Sequence, residues 1–363
     1  MHGNVTPHAS TRLQDFGYDR DIDRRFRTAA EALGSEVEPA RVIFESREVY
    51  RVVTAAGETD ARLAGRLRTG ADLPAVGDWA VVEGGDGTRR IVSVLPRRSR
   101  LSRKVAGAET REQVVAANVD TVFLVMGLDG DFNLRRLERF AVMAAESGAT
   151  PVVVLTKKDL HPDAPGACLD ARTAAPGMPV YAVSSLLDDG LDPLRVFLAP
   201  GQTVAMIGSS GAGKSTLLNR LNGAEVMRTG AVREGDDRGR HTTTHRQLVR
   251  LESGGLLVDN PGVREIQLWA GESALSDAFD DLEALAAGCR FNDCRHLDEP
   301  GCRVREAVED GSLDPERLRN WHDLEKELRH LERRRDVAAA RQADRRLGKM
   351  YKRVQAEKKN RFR

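Results

Sequence analysis

Eight residues constrain this chain more than any other feature: Gly208, Ser209, Ser210, Gly211, Ala212, Gly213, Lys214 and Ser215, which read G-x-x-x-x-G-K-S. They follow the apolar run Thr203–Ile207 and precede Leu217, Leu218 and Leu221 at helical spacing, so the pattern predicts strand, loop and helix. In that setting the glycines let backbone N–H groups curl around phosphate oxygens, and the helix N-terminus adds positive potential. Lys214 is placed to reach the β- and γ-phosphates of a nucleotide. The Ser215 hydroxyl, followed by Thr216, is placed to ligate Mg²⁺. A loop of this kind belongs at the carboxyl edge of a parallel sheet, which limits the chain to α/β architectures. Val119–Met126, Pro151–Leu155 and Val180–Val183 are continuous apolar runs suited to strands buried on both faces. Leu134, Leu137, Phe140, Ala141 and Ala144 place a helix between the first two. Val249–Glu252 and Leu256–Val258 read as a hairpin.

A phosphate loop names neither the base nor the reaction. Thr156-Lys157-Lys158-Asp159 ends the run Pro151–Leu155 and resembles the guanine motif N-K-x-D, with Thr156 in place of asparagine. Asp159 would accept hydrogen bonds from guanine N1–H and the 2-amino group, neither of which adenine offers, and the Lys157 stem would pack over the base. Taken alone, a motif this short is as well explained by a surface turn. Ser184 and Ser185, after Val180–Val183, are candidates to offer a backbone N–H to guanine O6. Asp259-Asn260-Pro261-Gly262 reads D-x-x-G: Asp259 would hold Mg²⁺ through water, and the Gly262 N–H would meet the γ-phosphate. Between Lys214 and Asp259 lies Gly239-Arg240-His241-Thr242-Thr243-Thr244. Any of its three threonines can present a hydroxyl to Mg²⁺ and the γ-phosphate, and Thr243 is the one chosen. Most GTPases run phosphate loop, switch, D-x-x-G, guanine motif. Here the guanine motif comes first, as cutting and rejoining a parallel sheet would produce.

Ahead of the α/β region, Arg41–Glu45, Glu48–Thr54, Ala61–Leu67, Asp78–Val82 and Arg90–Leu95 read as five short strands. That is the size of a small β-barrel; the oligonucleotide-binding (OB) fold is the obvious solution, although strand count does not fix topology. Residues 1–38 are polar, with one short helix expected near Ile22–Leu33. Net charge is only +1, yet Arg89–Lys104 holds seven basic residues and no acid, and residues 331–363 hold 13 Lys/Arg against 4 Asp/Glu. Two basic segments suit a polyanionic partner, with a solvated charged face as the plain alternative.

Three of the four cysteines fall in Cys289-x4-Cys294-x-His296-x5-Cys302. Three thiolates and one imidazole complete a tetrahedral zinc site with no open position, a structural rather than catalytic arrangement. No export signal is read at the N-terminus, and the longest apolar run, Thr121–Leu128, is far short of the roughly 20 residues a membrane helix needs. A reducing, cytoplasmic compartment and no membrane association are expected.

Barrel, permuted nucleotide motifs and zinc cluster together resemble the RsgA (YjeQ) family, the ribosome-small-subunit-dependent GTPases. The likeness covers about residues 40–330 and includes Gly77-Asp78 and Asn118-Val119-Asp120; Thr156 and Asn260 depart from the family's usual Asn and Thr. It implies a mixed α/β chain in five parts: a flexible arm (1–40), an OB-fold RNA-binding barrel (41–105), a circularly permuted P-loop GTPase domain (110–275), a helical zinc-binding domain (276–335) and a basic tail (336–363). It implies hydrolysis of GTP to GDP and phosphate with Mg²⁺ and one structural Zn²⁺, stimulated by the small ribosomal subunit. The partner would be that subunit during late maturation, held through rRNA contacts. Val263 follows Gly262, where Ras-like enzymes place a water-orienting glutamine. The resemblance points to His241 as its substitute, beside Lys214 and Thr243. A monomer is expected, since three dissimilar modules around one site need no second copy. Two other readings compete: a GTP-dependent switch acting on another structured RNA or protein, and a P-loop ATPase or kinase in which 156–159 is coincidence.

Overall fold

The computed structural model describes residues 13–33, 36–46, 49–68, 73–84, 88–104, 112–224, 246–259 and 270–334. Strands β1 (Val37–Glu45), β2 (Tyr50–Thr54), β3 (Gly57–Leu63), β4 (Trp79–Glu83) and β5 (Arg89–Val94) run in the order β1-β2-β3-β5-β4, and β4 returns to pair with β1. The closed five-stranded order is that of the expected OB barrel, and closure removes the free strand edges. Its interior is lined by Ala40, Val42, Val52, Ala61, Ala80, Val82 and Ile91, all buried. The alternating side chains Trp79 and Val81 face outward into the main core instead. β1 begins at Val37, earlier than its apolar pattern suggests, because Val37–Arg41 is held by backbone pairing to β4. β3 is displaced relative to the sequence reading: it opens at Gly57 and stops at Leu63, and a single helical turn, Gly65–Arg68, follows.

β6 (Arg100–Lys104) and β7 (Glu112–Ala117) form a separate two-stranded ribbon. The basic run that contains β6 is not one exposed face. Arg97 grips Asp78 with two bonds of 2.8 and 2.7 Å, and Asp78 is 0 % exposed. Arg98 pairs with Asp19 and Asp21, Arg89 with Glu38, Arg90 with Glu83 and Arg100 with Glu112. The neutralising acids lie far away in sequence or in neighbouring strands, so a window of sequence shows only the cations.

Residues 13–33 pack firmly where the sequence suggests a loose arm. The helix Arg20–Leu33 is capped by Asp19, whose carboxylate accepts from the N–H groups of Asp21 and Ile22. Leu13 and Ile22 are buried, and the Tyr18 ring meets Trp79 edge-on at 5.2 Å. Arg41 pins this junction: it donates to the carbonyls of Phe16 and Asn118 and, at 2.8 Å, to the Thr203 hydroxyl, and it lies over the Trp79 ring. Complete burial pushes its pKa down to about 10.

The second half of the sheet runs β10 (Val180–Ala182), β9 (Thr150–Thr156), β8 (Thr121–Gly127), β11 (Thr203–Ile207), β13 (Leu256–Asp259), β12 (Arg246–Arg250). All neighbours are parallel except β12, which is antiparallel to β13 and also joins β1 at Phe44 and Glu45. Every residue of β8 is buried: Val122, Leu124 and Met126 face one core and Phe123 and Val125 the other. β11, the strand that leads into the phosphate loop, lies between β8 and β13 at the centre of this sheet.

After β13 come helices Glu272–Ala278, Asp280–Ala286 and Arg303–Glu309, and helix 315–334. Arg317, 2 % exposed, joins this region to the helix Leu134–Ser147. It meets Glu138 (3.0 Å) and Asp281 (2.6 Å) and lies over the Phe279 ring. Among the described residues no helix is long and apolar enough to cross a membrane.

Candidate functional site

β9 and β11 are parallel, so the loops that leave their carboxyl ends emerge on one edge of the sheet. The two motifs touch there: Thr156, 2 % exposed, donates its hydroxyl to the Ala212 carbonyl at 2.6 Å. Standing where the guanine motif has asparagine, Thr156 thus supplies a bond of its own to the phosphate loop. Gly213 adopts φ +85°, and a Cβ there would come within 3.2 Å of the Thr156 hydroxyl. At Gly208 a Cβ would lie 2.2 Å from the Val125 carbonyl, so only glycine lets the loop leave β11 this close to β8.

Lys214 opens the helix Lys214–Asn222 and its ammonium donates to the carbonyls of Gly208 (2.7 Å) and Ser209. Ser215 and Thr216 are half-buried in the first turn. The Ser209 hydroxyl donates to Asp131, which also pairs with Arg136. In the loop after β9, Lys157 takes the left-handed conformation (φ +57°) and pairs with Asp129; its ammonium holds the Asp129 carboxyl below the usual range. Lys158 bonds Asp189 at 2.7 Å, and its N–H donates to the Val183 carbonyl, which joins the loop after β9 to the loop after β10. Asp159 is exposed in the short turn Lys158–Leu160, and no group among the described residues donates to its carboxylate.

Ser184 and Ser185 separate clearly. The Ser184 N–H is already given to the Asp189 carbonyl (2.9 Å) and its hydroxyl accepts from Leu187, so Ser184 is not free to read a base. The Ser185 hydroxyl is buried without a partner among the described residues. Arg220, unmarked by any motif, donates to the carbonyls of Ser185 and Leu186. Asp129 and Asp131 were missed as well, although acids immediately after a parallel strand are a signal for the ligand edge. Asp259 ends β13 and pairs through its backbone with Gln247. Its side chain, Gly262, His241 and Thr243 lie outside the described residues.

A second cluster lies in the C-terminal region. One ligating atom each from Cys289, Cys294, His296 and Cys302 fall within 4.8 Å of one another. The Cys289–Cys302 sulfur separation is 3.9 Å, and His296 Nδ1 lies 3.7 and 3.4 Å from those two sulfurs. A zinc tetrahedron built from normal bond lengths has edges of about 3.8 Å between thiolates and about 3.5 Å from thiolate to imidazole. The donor set therefore fits zinc, with Nδ1 as the imidazole ligand. Burial pushes the His296 pKa down and so favours the neutral ring that ligates. Burial opposes the Cys289 thiolate, but the backbone N–H groups of Arg303 and Val304 bring its pKa below the usual thiol value. Cys294 is pushed up to about 11, first by desolvation and then by its sulfur neighbours.

Residues 94–269 match the family model described as RsgA GTPase. The chain is 48% identical over 328 residues to the small ribosomal subunit biogenesis GTPase RsgA of Opitutus terrae, covering 86% of this chain and 89% of that protein. The protein of the same name from Xanthomonas axonopodis pv. citri is 51% identical over 255 residues, 70% of this chain and 69% of that one. Among solved structures, YjeQ from Thermotoga maritima superposes with TM-score 0.62 at 26% identity, over 81% of this chain and 99% of that one. YloQ, described as a circularly permuted GTPase, gives 0.59 at 25% identity, over 81% and 96%. With its permuted sheet, closed barrel and Cys-Cys-His-Cys cluster, the chain belongs to the RsgA GTPase family.

Proposed function

We propose that this protein binds guanine nucleotide with Mg²⁺ between the loops after β9 and β11, hydrolyses GTP to GDP and phosphate, and acts on the small ribosomal subunit during its assembly. The observation that carries the reading is the Thr156–Ala212 bond, which brings the loop after β9 against the loop after β11 and so supports a shared site. Asp159 would select guanine, Lys157 would cover the base, and Ser185 would offer its N–H to O6. Backbone N–H groups from Gly208 to Lys214 and the Lys214 ammonium would hold the phosphates; Ser215, Asp259 and Thr243 would hold Mg²⁺, and Gly262 would meet the γ-phosphate. His241 would orient the attacking water, a task the aliphatic Val263 cannot perform. Zn²⁺ at Cys289, Cys294, His296 and Cys302 would be structural.

A relative of which the chain covers 89% is named for small-subunit biogenesis, which supports the choice of partner. Contact with rRNA, action as a monomer and a cytoplasmic location belong to the same proposal. The test is GTP turnover measured with and without purified small subunits, alongside gradient co-sedimentation in a non-hydrolysable GTP analogue and in GDP. Turnover that rises with small subunits, and binding favoured by the analogue, are expected. Hydrolysis unaffected by subunits, with no co-sedimentation, would favour a switch acting on a different RNA or protein.

A further inference from the structure

We infer that Arg220 is a specificity-positioning residue: it anchors the chain that follows the Ser185 Cα, so that the Ser185 N–H stays aimed at the 6-oxo group of the base. The inference rests on the guanine reading above and assigns a role to a residue outside the nucleotide motifs. Arg220 lies on the helix Lys214–Asn222, whose first turn faces the phosphate loop. Its Nε donates to the Ser185 carbonyl at 2.9 Å and its Nη2 to the Leu186 carbonyl at 3.1 Å, with the Asp188 carboxylate 3.8 Å away.

The geometry around Ser185 shows what that clamp does. On one side, the Ser184 carbonyl accepts from the Asp189 N–H at 3.0 Å. In a trans peptide the N–H points opposite to the C=O, so the Ser185 N–H is turned away from that bridge and left free. On the other side, Arg220 holds the Ser185 carbonyl. The Asp189 bridge sets the Ser184–Ser185 plane, which carries that N–H, and Arg220 sets the Ser185–Leu186 plane that follows, so the chain cannot pivot about the Ser185 Cα and carry the N–H away.

Apolar packing cannot do this work, because Leu186 and Leu187 are each 70 % exposed. A planar guanidinium suits the task, since its fork reaches two successive carbonyls; an ammonium offers a single point of attachment. One short helix thus meets the phosphates with its first turn and, through Arg220, orients the group that reads the base.

The test uses the full chain as wild type, Arg220→Ala and Arg220→Lys, titrated calorimetrically with GDP and with 2-aminopurine riboside diphosphate, which lacks the 6-oxo group and the N1–H that accompanies it but keeps the 2-amino group. Arg220 is 46% exposed, so the substitutions should fold, which a thermal melt checks. Wild type should prefer GDP. Arg220→Ala should bind GDP roughly three- to tenfold more weakly while its affinity for the analogue stays unchanged, and Arg220→Lys should fall between. Equal losses for both nucleotides would mean that Arg220 only stiffens the pocket, and undiminished GDP preference would mean that it does not act through the base; either overturns the inference. A wild type with no preference between the two nucleotides would overturn the guanine reading itself, and this inference with it.

Discussion

The Thr156 hydroxyl donates to the Ala212 carbonyl across 2.6 Å, in a site where Ala212 is fully buried and Thr156 nearly so. A buried carbonyl stripped of its donor carries a desolvation penalty of about 1–3 kcal/mol. Thr156→Val, which keeps the shape and removes the hydroxyl, should lower unfolding stability by about that amount and weaken GDP binding. Denaturant unfolding and calorimetry on one preparation check both. Unchanged values would show that the two loops do not depend on this bond.

Arg317 and Glu138 tie the C-terminal helix to the helix before β9, at 2 % and 1 % exposure. Arg317→Ala leaves the buried Glu138 carboxylate with Arg135 and Asn320 as its remaining partners and should cost about 3–5 kcal/mol at neutral pH. Burial pushes the Glu138 pKa up, against the pull of Arg135 and Arg317. Without Arg317 it should rise further, so the folded state would hold a proton that the unfolded state releases above about pH 4.5. Stability of the variant should then fall as pH rises through that window, and its deficit against wild type should be larger at pH 8 than at pH 5. A deficit independent of pH would show that Glu138 is satisfied by Asn320 and Arg135 alone.

Arg97 changes the meaning of an obvious experiment on the basic segment. Reversing Arg97, Arg98 and Arg100 together would break the grip on buried Asp78 and loosen the barrel, whatever the segment binds. Arg97→Glu alone should lower the melting temperature sharply, whereas Arg100→Glu, at 49% exposure, should not. Equal melting temperatures for the two variants would return Arg97 to the surface.

Metal content is a direct check on the C-terminal cluster. One zinc per chain is expected by elemental analysis, with a lower melting temperature after chelation and loss of the metal in Cys302→Ser. A metal-free protein with the same melt would leave four unconnected side chains.

The motifs were legible because each is local: glycines, lysine and serine in a fixed frame, or thiols a few positions apart. Strand β8 was legible because burial on both faces leaves an unbroken apolar run. What escaped depends on pairs brought together by folding. Asp78 is invisible from Arg97, Asp19 and Asp21 from Arg98, and Glu138 from Arg317, so the same residues read as a basic face and an ordinary charged helix. The ribbon β6–β7 escaped because Arg-Leu-Ser-Arg-Lys has no strand pattern of its own; pairing with Glu112–Ala117 makes it a strand. Ser184 and Ser185 are indistinguishable in sequence, and only the Asp189 bridge separates them.

The central claim is that Asp159, earlier in the chain, and Lys214, later, serve one nucleotide. Titration of Asp159→Asn with GDP and with xanthosine diphosphate tests it most directly. GDP affinity should fall roughly ten- to a hundredfold, from loss of hydrogen bonds to a charged acceptor, while xanthosine diphosphate, whose 2-oxo group can take the new amide, should gain. GDP affinity untouched by the substitution, with no gain for xanthosine diphosphate, would contradict the account.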